Sequence, residues 1–254
     1  MIGISLESEY VVSVLGFQLT NTFLTTLVAS SLLIGLGSMF YVWRGRSENG
    51  SFLLQGWHIV IYELLRLADT VTQDRELSKK ILPLIATLFL FIFMTNLIAL
   101  LPGFLGSFFL TTPEGPIALF RSPNSDLTTT IALALVTVLS IQYFSLQAHG
   151  FRGYIKRFLN FSGVTAFVLG LFELLSESVR VLSFSFRLFG NVFAGEVLLL
   201  VIAFLVPYIL PVPFMVLEVF ISLIQAYIFC ILALTYIRLS TEKLQSSKLS
   251  GATA

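Results

Sequence analysis

Apolar and polar positions along this chain fall into long hydrophobic stretches separated by short polar ones. At 1.5 Å of rise per residue, about 20 apolar residues cross the ~30 Å hydrocarbon layer of a bilayer. Stretches 20–43, 81–101 and 127–148 are long enough, and each predicts one membrane-crossing helix. The stretch 161–204 contains no proline. As one helix it would extend about 66 Å, so it must tilt strongly, bend, or be two helices. Pro207, Pro211 and Pro213 then predict a break, and a last apolar helix covers 214–239. The stretch 52–71 mixes Leu, Ile, Val and Trp57 with Glu63, Arg66 and Asp69, which suits an amphipathic helix lying in the cytoplasmic interface. Residues 111–116 read as a polar loop and 122–126 as a helix start of the N-cap type.

Basic residues give this pattern a direction, because short loops rich in Lys and Arg stay on the cytoplasmic side. Six lie within 44–80, three within 149–160 and three after residue 237, whereas the alternate segments hold only Arg121. Five crossings with the N-terminus outside and the C-terminus inside satisfy every loop. The first basic residue is Arg44, beyond the first apolar stretch, so the charged n-region of a secretory signal is missing and that stretch is expected to remain as a helix.

Composition narrows the class further. Of 254 residues 56% are apolar and 11% charged, against roughly 25% charged in an ordinary soluble domain. Mean hydropathy is +0.92. The net charge of +1 provides no basic field for nucleic acid. Cys230 is alone and reads as lipid-facing or core filler, while His58 and His149 have no ligand partners at metal spacing, so neither a metal nor a cofactor is expected. No glycine-rich phosphate loop of the G-x-x-x-x-G-K-S/T type occurs, so any ATP chemistry belongs to partners.

The candidate chemistry lies in charges placed where lipid should be. Arg180, Arg187, Glu173, Glu177 and Glu196 share the long apolar stretch, and Glu218 sits in the last helix. A charge near mid-membrane costs about 2.5–3.5 kcal/mol on insertion scales, so such residues mark an ion path or a structural pair. Glu173, Ser176, Arg180, Ser183, Arg187 and Asn191 recur every three or four residues, which aligns them on one helix face. Glu218, Ser222 and Gln225 form a second polar face. Glu196 lies nine residues beyond Arg187 and points to roughly the opposite side of the helix. Arg180 has acids at helical spacing and could be an ordinary ion pair, whereas Arg187 has none at i±3 or i±4. Three readings follow: an ion-translocating subunit, a secondary transporter, or a protein whose buried charges are structural. Transporter folds commonly show paired repeats, and none is visible here.

The residues LSFSFRLFGNVFAGE at 182–196 resemble the signature of subunit a of F-type ATP synthases. The resemblance extends to PLIATLFLFIFMTNLIALLP at 83–102, SPNSDLTTTIALAL at 122–135 and IQAYIF at 224–229. It implies an all-α membrane protein in one domain: 1–50 the N-terminal segment and first crossing, 51–80 the interfacial helix and cytoplasmic loop, 81–254 the channel region. It implies a proton-translocating stator subunit of the Fo sector in a bacterial plasma membrane, doing no bond chemistry alone. Its partners would be the c-ring, against which the long helix and the last helix pack, the subunit b stalk and the rest of the F1Fo complex. Arg187 would face the ring carboxylates. Asn191, Glu196, Glu218 and Gln225 match polar positions near the arginine and the outer half-channel, and Glu173 and Ser183 match the inner side. Two positions depart from the family pattern: Thr128, where Asn is frequent, and Val181, where Pro is frequent.

Overall fold

The computed structural model describes residues 10–14, 17–43, 52–100, 109–112, 115–118, 121–158, 164–206 and 209–242. Six α-helices dominate: α1 (Asn21–Trp43), α2 (Phe52–Thr72), α3 (Arg75–Leu100), α4 (Leu127–Phe158), α5 (Val164–Leu205) and α6 (Pro211–Glu242). Five of them, all except α2, are long and apolar enough to cross a membrane. This is the all-α membrane architecture that the apolar stretches predict. Two short antiparallel hairpins accompany the helices, β1 (Tyr10–Val14) with β2 (Phe17–Thr20) and β3 (Phe109–Thr112) with β4 (Gly115–Ala118). The second replaces most of the loop expected at 111–116. The expected N-terminal segment lies largely outside the described residues.

Helix limits follow local chemistry. Asp74 starts α3 six residues before its apolar run, its Oδ1 accepting the amides of Glu76 at 2.9 Å and Leu77 at 3.2 Å. Asp126 starts α4, accepting the Thr128 amide at 2.9 Å. Gly150, with φ 71° and ψ 164°, kinks α4 where the sequence reading placed a loop, and helix continues beyond it. α6 begins at Pro211, earlier than expected, because prolines in a first turn lack only N–H groups that have no helical partner there.

The long apolar stretch is one continuous helix of 42 residues. At about 63 Å it is twice the hydrocarbon thickness, so it can cross only at a steep inclination.

The core forms where α6 packs against α2, α3, α4 and α5. Ile81, Ile85, Ile92, Phe184, Leu188, Phe229, Leu234 and Ile237 are fully buried there. Cys230 belongs to this core, its Sγ 3.6 Å from the Ile85 carbonyl. α2 buries Leu64 and Ala68 on α3 and α6 while exposing Ile59 and Tyr62. At the far end of α6, Arg238 donates to the Val71 carbonyl at 2.8 Å and to Gln73 Oε1 at 3.0 Å, which fastens the α2–α3 turn.

Candidate functional site

Phe184 and Leu188 fix the rotation of α5. Both are buried, Phe184 with its ring 4.6 Å from Phe229 and 5.8 Å from Tyr236 on α6. With those positions turned inward, Ser183, Arg187, Gly190 and Ala194 fall on the exposed side. Arg187 Nη2 donates to Ser183 Oγ at 3.4 Å. Among the described residues no carboxylate pairs with it. Two turns earlier, Arg180 donates to Glu177 Oε1 at 2.6 Å and lies 4.6 Å from the centre of the Tyr236 ring. Glu173 is half-buried two turns before Arg180, and Asn191 is half-buried beside the exposed stripe.

The opposite side of α5 meets α3 and α6 around a small cavity of about 50 Å³, lined by Asn96, Val192, Gly195, Glu196, Glu218 and Ser222 among others. Glu218 is buried on α6, its carboxyl group lying against Gly195. A Cβ at Gly195 would stand 2.5 Å from the Glu218 carboxyl carbon, so any side chain there would push that carboxyl group aside. Glu196 Oε2 lies 3.5 Å from Arg121 Nε, which also donates to Ser125 Oγ at 3.2 Å. Gln225 is buried farther along α6, and among the described residues its Nε2 makes no hydrogen bond.

Of the residues singled out from sequence, the structure brings together Glu196 with Glu218, and Arg187 with Ser183. Glu173, Asn191 and Gln225 do not line the cavity. Sequence reasoning missed Asn96, Thr95 and Asn124, whose side chains bond to one another beside it. It also gave Arg121 no role, although a lone basic residue in an otherwise uncharged outside segment was a signal. Two carboxyl groups around one small cavity can each take up and release a proton, and burial strengthens their influence on each other. Among the described residues no group of three or more His, Cys, Asp and Glu could hold a metal ion.

Fold and site define a multi-pass helical membrane protein carrying ionisable side chains within its crossing segments. The family model described as ATP synthase A chain matches residues 23–238. Similar proteins named ATP synthase subunit a include that of Legionella pneumophila strain Corby, 32% identical over 91% of this chain and 90% of its own length. The Moorella thermoacetica protein is 36% identical over 83% and 84%, and that of Campylobacter jejuni strain 81-176 is 33% identical over 79% and 78%. The chain belongs to the ATP synthase A chain family. It is a membrane subunit of the proton-translocating Fo sector, assembles with other ATP synthase subunits and is not an enzyme by itself. With bacterial relatives and five span-capable helices, it is a multi-pass protein of the bacterial inner membrane.

Proposed function

We propose that this subunit is the stator half of a rotary proton channel, in which the exposed Arg187 face of α5, with α6, packs against a ring of c subunits bearing one carboxylate each. The observation that carries this reading is Arg187 itself: an exposed guanidinium in an apolar helix whose hydrogen-bond partner, among the described residues, is one hydroxyl 3.4 Å away. Such a charge is expensive in lipid and implies a partner carboxylate on another chain. Arg is suited to this role because it does not lose its proton at working pH. It keeps a passing carboxylate ionised and gives protons no path past itself, so they travel round with the ring.

Two half-channels on either side of Arg187 then exchange protons with opposite compartments. The cavity holding Glu196 and Glu218 supports the outer one, to which Asn191 and Gln225 are also assigned. Glu173 and Ser183 belong to the inner one. Each elementary charge crossing releases about 2.3 kcal/mol per 100 mV, which turns the ring and drives ATP synthesis on other subunits. The subunit b stalk would hold the stator still. Region 81–254 forms the channel, while 1–50 and 51–80 anchor it in the bilayer and its cytoplasmic face.

The test is ATP-driven proton pumping in inverted vesicles carrying Arg187→Ala. Pumping should vanish while the complex still assembles, and normal pumping in an assembled complex would remove the proposal.

A further inference from the structure

We propose that Arg121 is a positioning residue for Glu196, held in place by the turn at 121–126. This rests on the reading above that Glu196 and Glu218 relay protons. Arg121 lies outside the crossing helices, immediately before the buried 3-10 turn Pro123–Ser125, yet reaches into α5 because that turn is tied on several sides. Asn124 Nδ2 donates to Thr95 Oγ1 at 2.7 Å and to Asn96 Oδ1 at 2.6 Å, both on α3. Asp126 accepts from Thr22 Oγ1 of α1 at 3.3 Å while it caps α4. Ser125 Oγ accepts from Arg121 and donates to the Ser122 carbonyl at 2.9 Å. Asn96 also lines the cavity shared by Glu196 and Glu218, so one residue joins the anchored turn to the relay.

Facing Glu196 are Arg121, Ser125 and the Ser122 backbone from the turn, Asn96 from α3, and Glu218 with Ser222 from α6. Among these Arg121 is the cation, and it meets one carboxylate of the two. It therefore makes the two sites unequal and orders the relay. A proton from the Arg121 side binds the Glu196 carboxylate, and that neutralisation weakens the hold of the guanidinium. The proton then passes to the Glu218 carboxylate, and Glu196, again charged, returns to Arg121. The cavity of about 50 Å³ has room for a water to bridge the two.

The experiment uses the assembled complex in vesicles. Passive proton flux under an imposed potential is recorded against pH on the Arg121 side and, separately, on the opposite side. Arg121→Gln should shift the Arg121-side profile by about one unit to alkaline pH and leave the opposite profile in place. Arg121→Lys should restore most of the original profile. An unmoved profile in Arg121→Gln, an equal shift on both sides, or no restoration by lysine would overturn the proposal. If Arg121→Gln does not assemble, the double variant with Glu196→Gln decides: flux equal to that of Glu196→Gln alone supports action through Glu196, and a further loss refutes it. Arg187→Ala in the same vesicles keeps the two ideas apart, since flux coupled to ATP in that variant defeats the rotor reading, while an unmoved Arg121→Gln profile defeats only this one.

Discussion

Arg180 and Arg187 are seven residues apart on one face of one helix, and the chain treats them oppositely. Arg180 is largely buried, bonded to Glu177 at 2.6 Å and stacked over Tyr236. Its charge is paired within the subunit. Arg187 is exposed, and among the described residues its one hydrogen bond is the long contact to Ser183. The same side chain thus ties α5 to α6 at one position and is left exposed two turns on. A charge inside a membrane is informative about function in proportion to how little its own chain does to neutralise it.

The most severe way to break that contrast is to substitute Arg187. Arg187→Lys should abolish proton pumping as alanine does, because an ammonium is a compact point charge that gives up its proton more readily when desolvated. Arg180→Leu should spare pumping in complexes that assemble and cost about 3 kcal/mol of stability, since it removes the guanidinium that is paired with the buried Glu177 carboxylate. Thermal inactivation of purified complexes would record that loss, and abolished pumping in a fully stable Arg180→Leu complex would erase the distinction.

Smaller effects sharpen the contrast between the exposed face of α5 and its cavity side. Gly195→Ala places a methyl group against the Glu218 carboxyl and should slow proton flux about tenfold, equivalent to about 1.4 kcal/mol of barrier. Gly190→Ala adds the same group where nothing lies within 4 Å in the subunit, so its effect on the isolated subunit should be slight. Asn124→Ala removes two short hydrogen bonds to α3 and should cost about 1–2 kcal/mol, read as a lower inactivation temperature with pumping retained.

Much of this contrast is legible in the sequence. Five crossing segments can be read because span length is a property of composition, and their limits shift only where polar residues cap or kink a helix, as at Asp74 and Gly150. The stripe Ser183–Arg187 and the opposed Glu196 follow from helical periodicity alone. The pairing of Glu196 with Arg121 is 75 residues long-range and has no periodic signature, so only the fold reveals it. Likewise nothing local distinguishes the bent continuation of α4 after Gly150 from a loop. The choice among a tilted helix, a bent one and two helices for 161–204 depended on packing against α4 and α6, which the sequence does not display.

The central claim is that Arg187 faces the rotor. The direct measurement is disulfide cross-linking from Asn191→Cys, one turn beyond Arg187, to cysteines along the carboxylate-bearing helix of a co-expressed c subunit, with Cys230 replaced by Ala. A cross-link confined to c positions near that carboxylate, lost when the c cysteine moves to the opposite helix face, is the predicted result. An assembled complex that gives no such cross-link at any c position would contradict it.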